Sequence, residues 1–155
     1  MTEADKDFMR LALAQASEAR YQGEIPVGSV VVLDGRVVGM GFNRTILDCD
    51  PGAHAEMVAL RQAGRELGNY RLNGCSVYVT LEPCCMCAMA LVHARVERLV
   101  FGAYDDKTGA CGSCFELLQD PRHNHKVEVE GGVLEDECRV LLQDFFARRR
   151  QEQKA

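Results

Sequence analysis

Little in this chain interrupts it. There are only four prolines in 155 residues, and no long polar tract, repeat or composition break marks a linker. The length therefore reads as one compact domain, residues 1–155. No apolar run is long enough to cross a bilayer. The longest, Val27 to Leu33, already includes a glycine and a serine and falls far short of the roughly 20 residues a span needs. The opening Met1-Thr2-Glu3-Ala4-Asp5 is acidic and lacks the apolar core of a signal peptide. The expectation is a cytoplasmic protein without a membrane partner. An excess of positive charge is also missing: the net charge is −5 and the pI about 5.4, which weighs against a broadly basic nucleic-acid surface. Two basic groups qualify that. Arg148, Arg149, Arg150 and Lys154 crowd the C-terminal end, and Arg122, His123, His125 and Lys126 form a second group. Either is a solvated face or a phosphate-contacting one.

Cysteine, by contrast, is plentiful: Cys49, Cys75, Cys84, Cys85, Cys87, Cys111, Cys114 and Cys138. In a secreted chain these would suggest disulfides; in a cytoplasmic one they point to metal, catalysis or packing.

Periodicity supplies the scaffold. Residues 5–22 read as a helix, with Phe8, Ala12, Ala16 and Ala19 on one face, a possible capping box at Thr2 and Asp5, and Gly23 as a stop. Residues 27–33 and 36–42 are strands joined by Asp34-Gly35, a strong hairpin signal. Gly39 and Gly41 weaken the second strand and allow close approach to its backbone. Residues 43–53 form a loop, 54–67 a helix, 75–81 a strand, 83–94 a helix opened by Pro83, and 98–102 a strand. After a loop over 104–113 come a short helix at 115–119, a strand at 126–130 and a helix at 135–150. Strands alternating with helices predict a central mixed sheet of five strands covered by helices on both faces, a three-layer α/β/α fold.

Two stretches carry the chemistry: His54-Ala55-Glu56 and Pro83-Cys84-Cys85-Met86-Cys87. Cysteines three apart in the first turn of a helix share one face, and the helix N-terminus favours the thiolate form that zinc binds. Cys85 lies about 100° around that helix, so Cys84 and Cys87 are the candidate ligands. Residues two apart in a regular helix diverge by roughly 200°. His54 and Glu56 therefore share a site only if His54 stands at the irregular start of its helix. One histidine and two cysteines leave a zinc ion an open position for water. Glu56 is then suited to move protons rather than to bind metal. His-x-Glu followed by Pro-Cys-x-x-Cys matches the known signature of zinc-dependent nucleobase deaminases.

Over nearly its whole length the chain resembles the bacterial tRNA-specific adenosine deaminases. The resemblance is carried by Asn43-Arg44, Asp50-Pro51, His54-Ala55-Glu56, Leu60-Arg61-Gln62, Asn69-Tyr70-Arg71-Leu72, Tyr78-Val79-Thr80-Leu81-Glu82-Pro83-Cys84 and Met86-Cys87. It continues through Val100-Phe101-Gly102-Ala103, Lys107-Thr108-Gly109-Ala110 and the tail from Phe145-Phe146 to Arg149-Arg150. It implies a cytidine-deaminase-like fold, one zinc per subunit, and a homodimer that binds a tRNA anticodon stem-loop with residues from both subunits. It also implies attack of zinc-activated water on C6 of the wobble adenine, with Glu56 protonating N1 and assisting departure of ammonia. Asn43 and the Ala55 backbone would hold the flipped base, Asp105 would lie near the RNA, and Arg149 and Arg150 would belong to a basic C-terminal helix that binds it.

Cys111 and Cys114 depart from the family pattern. They raise a rival, a structural zinc held by Cys84, Cys87, Cys111 and Cys114, which leaves His54 and Glu56 without a role. The remaining cysteines read as packing residues and His93 as a satisfied structural histidine. Phe145 reads as core, and Phe146 as core or as a base-stacking surface. Two other functions compete with RNA editing. A metabolic deaminase of a free cytosine, cytidine or guanine would share the chemistry but have no use for the basic tail. A zinc-stabilised RNA-binding module without catalysis would have no use for Glu56.

Overall fold

The structure is a computed structural model and describes residues 1–154; residue 155, the last of the expected domain, lies outside the described residues. Helix α1 (Glu3–Tyr21) opens with the expected capping box: Asp5 N–H donates to Thr2 Oγ1 and Thr2 N–H to the Asp5 carboxylate. Strands β1 (Gly28–Leu33) and β2 (Arg36–Phe42) form the hairpin. Asp34 and Gly35 both take positive φ, 51° and 76°, as a tight turn between twisted strands requires. Then follow α2 (Ala55–Leu67), β3 (Ser76–Leu81), α3 (Cys85–Ala94), β4 (Arg98–Ala103), β5 (Glu128–Glu130) and α4 (Glu135–Lys154).

The five strands lie in the order β2-β1-β3-β4-β5. β1 is antiparallel to both β2 and β3, while β3-β4 and β4-β5 are parallel, so the sheet is mixed as expected. Alternate residues build two cores. Val30, Val32, Tyr78 and Val100 pack with Met9 and Ala12 of α1 and Cys138 of α4. Val31, Val77, Val79, Leu99 and Phe101 pack with Ala55, Ala59 and Ala63 of α2 and Ala88 and Leu91 of α3. The weak points of β2 are where α2 lies closest. A Cβ at Gly39 would stand 2.4 Å from the Ala59 carbonyl oxygen, and one at Gly41 2.7 Å from Val58 Cβ.

This topology decides where a site can form. β2 and β3 both run against β1, so they point the same way, and β4 runs with β3. The C-terminal ends of β2, β3 and β4 therefore open on one edge of the sheet. Asn43, Cys84 and Asp105 each lie within a few residues beyond those ends, the usual place for a ligand crevice in such sheets.

Three expected elements differ. Residues 115–119 form no helix: Leu117 N–H donates to the Ala110 carbonyl, and Cys111 pairs with Glu116 as an isolated bridge, so these amides are already engaged across the loop. The last strand is only Glu128–Glu130, because pairing with β4 begins at Arg98. The cysteine helix starts at Cys85, with Cys84 as its N-cap and Pro83 one residue outside, where its carbonyl accepts from Ala110 N–H.

Candidate active site

His54 is the N-cap of α2. Its backbone is extended (φ −73°, ψ 156°) and its side chain caps nothing. Cys84 stands the same way at the start of α3 (φ −76°, ψ 177°), also without a side-chain cap bond. Both side chains turn instead toward each other. His54 Nδ1 lies 3.6 Å from Cys84 Sγ and 3.6 Å from Cys87 Sγ, which occupies the first turn of α3. A tetrahedral zinc, with Zn–N near 2.05 Å and Zn–S near 2.3 Å, would set its nitrogen and sulfur ligands about 3.6 Å apart. The donor set therefore fits zinc in both chemistry and spacing. Among the described residues it is the one His/Cys/Asp/Glu cluster that does.

That result removes the four-cysteine alternative. Cys114 is exposed and its thiol donates to the Asp106 carbonyl at 2.7 Å; Cys111 is buried beside the Pro83 carbonyl. Neither joins the cluster. All eight cysteines are free thiols. Cys75 and Cys138 are core residues, but Cys49 is exposed at a positive φ of 49°, so it is not the packing residue expected.

Glu56 is buried at the first turn of α2, only 4 % exposed. Burial pushes its carboxyl up to about 7. Cys84 is held down to about 4, first by accepting from Cys87 and then from His54, while the same bond and burial push Cys87 far up. His54 is raised, chiefly by its contact with Cys84. Two thiols gathered this closely round an imidazole form a site whose protons a divalent cation can displace.

The cavity over these groups is small, about 210 Å³, and is lined by Ile25, Val27, Asn43, Leu81, Glu82, Asp105 and Thr108 with His54, Glu56 and Cys84. A wider depression, about 780 Å³, runs between α2 and α3 and holds none of the ligands. Asn43 Oδ1 accepts from Ala55 N–H at 2.9 Å. Asn43 thus caps α2 in place of His54. The Ala55 amide is occupied in orienting Asn43, whose side-chain nitrogen is left for the cavity. Asp105 sits in the cavity wall, and its carboxylate accepts from Lys107 N–H, Thr108 N–H and Thr108 Oγ1.

Arg149 and Arg150 are exposed on α4 and are not among the residues that line this cavity. Arg149 lies over the Phe145 ring at 4.8 Å and donates to the Gly23 carbonyl, tying α4 to the end of α1. Phe145 is core, as expected, and Phe146 is 42 % exposed. His93 is not a buried structural histidine: it is exposed on α3 and lines the wide depression. Two buried carboxylates escaped the sequence reading, Glu82 and Glu24. Glu24 accepts from Ile46 and Leu47 N–H and from Thr45 Oγ1, pinning the loop after Asn43. A glutamate in a loop carries no signal of burial.

The family model for the cytidine and deoxycytidylate deaminase zinc-binding region matches residues 2–103. The chain is 51% identical to the tRNA-specific adenosine deaminase of Haemophilus influenzae over 154 residues, covering 99% of this chain and 89% of that protein. It is 44% identical to the Bacillus subtilis tRNA-specific adenosine deaminase, covering 97% and 94%. A solved chain from work on A-to-I editing by tRNA:A34 deaminases at the wobble position of transfer RNA superposes with a TM-score of 0.85 and 45% identity, over 88% of this chain and 99% of that one. The chain belongs to the zinc-binding cytidine and deoxycytidylate deaminase family and, within it, to the tRNA-specific adenosine deaminases.

Proposed function

We propose that this protein hydrolytically deaminates adenosine to inosine at the wobble position of a tRNA anticodon. The observation that carries the reading is His54 Nδ1, Cys84 Sγ and Cys87 Sγ at zinc-ligand spacing, with His54, Cys84 and buried Glu56 lining one small cavity. When bound, the zinc would act as a Lewis acid that makes water nucleophilic near neutral pH. The chain's residues do the rest. His54, Cys84 and Cys87 hold the ion. Glu56 would take one proton from the attacking water and deliver it to N1; the second, from the new C6 hydroxyl, would pass through Glu56 to the amine as the C6–N6 bond breaks, so that ammonia leaves and the C6 carbonyl of inosine forms. Asn43 offers its amide nitrogen to the base, and Ala55 N–H keeps that amide oriented. A cavity of 210 Å³ is below the roughly 300–1,000 Å³ of most ligand pockets. It suits one base turned out of its stack, with the rest of the nucleic acid outside.

Asp105, Arg149 and Arg150 are the proposed RNA contacts, and the anticodon stem-loop the portion of tRNA recognised. One zinc per subunit and a homodimer complete the reading. The apolar depression between α2 and α3, with Met57, Leu60, Leu72, Ala90 and Ala94 in its lining, supports a second copy seated there. Residues 1–155 act as one domain and the setting is the cytoplasm; no described helix is long and apolar enough to cross a membrane.

The test incubates zinc-loaded protein with an anticodon stem-loop carrying a wobble adenosine and scores inosine by mass, beside Glu56→Ala. Inosine from the wild type alone is expected. Conversion of free cytosine or guanine without inosine would replace this reading with a metabolic deaminase.

A further inference from the structure

Glu82 is a carboxylate in the interior, 2 % exposed, two residues before a zinc ligand, and it plays no part in the chemistry above. Among the described residues it makes no ion pair. Its partners are instead Asp105, Cys111 and Ser113 of the loop that follows β4. Oε1 accepts from Asp105 N–H at 3.0 Å and from Ser113 Oγ; Oε2 accepts from Cys111 N–H at 3.0 Å and Ser113 N–H at 3.1 Å. One side chain thus satisfies three backbone amides spread over nine residues of loop. The loop is folded tightly on it: a Cβ at Gly109 would stand 2.5 Å from the Glu82 carboxyl carbon, so only glycine fits there. Asp105, so placed, organises Lys107 and Thr108 through its own carboxylate. Asp105 and Thr108 then stand in the wall of the cavity that holds His54, Glu56 and Cys84.

We propose that Glu82 is a positioning residue for substrate. By fixing Asp105 from a point covalently next to Pro83-Cys84, it holds the loop wall in register with the metal cluster. This rests on the function proposed above. A buried carboxylate is costly unless its lone pairs are filled. Here four donors fill them, with the loop as their common source. The alternative, a role confined to holding the fold together, predicts lost stability but normal turnover by whatever remains folded.

Glu82→Gln separates these. The amide keeps one acceptor oxygen. Facing that oxygen to Cys111 and Ser113 N–H leaves the amide nitrogen opposite Asp105 N–H, with Ser113 Oγ free to turn and accept. The variant therefore releases Asp105 selectively. Zinc-loaded wild type and variant would be compared in two ways. Hydrogen exchange at the Asp105 amide, measured without RNA, should quicken at least about tenfold, the loss of one hydrogen bond of about 1.4 kcal/mol. The kcat/KM per bound zinc on the anticodon stem-loop should fall about 10- to 100-fold, carried by KM with kcat little changed, as for a misplaced binding group. In an Asp105→Ala background the same change should cost less than about twofold, because residues acting through one another are not additive. Unchanged exchange at Asp105, or a full penalty persisting beside Asp105→Ala, overturns the proposal. Should Glu82→Gln not fold, Ser113→Ala removes one donor to the same carboxylate, and must show the same two effects in smaller measure. A wild type that makes no inosine counts against the proposed function, and the exchange measurement then still decides the anchoring.

Discussion

Asp5 offers the sharpest test of what holds the sheet to its outer helices. Its carboxylate is buried, 2 % exposed as a residue, and every lone pair is used. Oδ1 accepts from Arg98 at 2.7 Å and from the Tyr78 hydroxyl at 2.7 Å; Oδ2 accepts from Arg98 at 2.9 Å and Thr2 N–H at 3.1 Å. Arg98 also meets Glu130, which in turn receives the N-terminal ammonium of Met1. Asp5→Ala would leave the Tyr78 hydroxyl, on a residue 4 % exposed, without its acceptor, and Arg98 with Glu130 alone. Breaking a buried ion pair costs about 3–5 kcal/mol. The Arg98 side chain is 25% exposed and keeps a second partner, so water and Glu130 screen part of that loss, and about 2–4 kcal/mol is expected. For a chain of this length that is a fall in Tm of roughly 5–15 °C.

The pH dependence fixes the origin of that stability. The Arg98 guanidinium, with Tyr78 and Thr2, holds the Asp5 carboxyl far below the usual carboxylate range. A group depressed in the folded state contributes fully above its unfolded pKa, near 3.9, and loses its contribution as pH falls through the folded value. The difference in unfolding free energy between wild type and Asp5→Ala should thus be flat from pH 8 to about 5 and shrink below about pH 4. Urea unfolding followed by circular dichroism measures it; urea carries no charge and leaves the ion pair unscreened. Acid also strips metal from cysteine and histidine, but from both proteins alike, so the difference is the readout. A penalty under about 1 kcal/mol, or one that grows on acidification, would refute the reasoning.

Glu56→Ala should retain bound zinc by metal analysis yet lose about 10²–10⁴ in turnover, as befits a proton carrier that is not a ligand. Cys111→Ser with Cys114→Ser should leave the zinc content at its wild-type value, whereas Cys87→Ser should lower it. Deleting residues 148–155 should raise KM for the anticodon stem-loop at least several-fold, and steepen less with salt than the wild type, since Arg148, Arg149 and Arg150 go with it. Gly41→Val should lower Tm by several degrees, because overpacking of α2 on β2 typically costs about 1–3 kcal/mol.

What the sequence made legible was local or periodic. The Asp34-Gly35 turn, the helical faces and the cysteine spacing are all encoded within a few residues, and each is where it was expected. Gly39 and Gly41 were legible as close-approach points, though not that α2 is the element approaching. Several misses come from pairing that no local pattern announces. Asp5 was visible as half of a capping box, but its bond to Arg98 spans 93 residues. Residues 115–119 carry a helical pattern, yet the Phe115 and Leu117 amides donate to the Gly109 and Ala110 carbonyls instead of into a helix. Asn43 was visible through family resemblance, while its capping of Ala55 required the fold to bring the end of β2 to the start of α2.

The site itself follows from a conflict at two helix starts. An N-cap side chain ordinarily accepts from the first turn and contributes about 1 kcal/mol. His54 and Cys84 hold N-cap positions and N-cap backbone angles, yet neither side chain caps its helix. The extended cap backbone is what frees them: within a regular turn His54 and Glu56 would face apart, but from the cap His54 reaches the thiols while Glu56 stays on the first turn of α2. Asn43 restores one of the missing bonds from outside the helix. At α3 the site's thiolate takes the place of an acidic first turn, since no Asp or Glu is there, and negative charge at a helix N-terminus is favoured. Each helix thus gives up its own cap so that the two starts meet, and the cluster of His54, Cys84 and Cys87 exists because those positions are irregular.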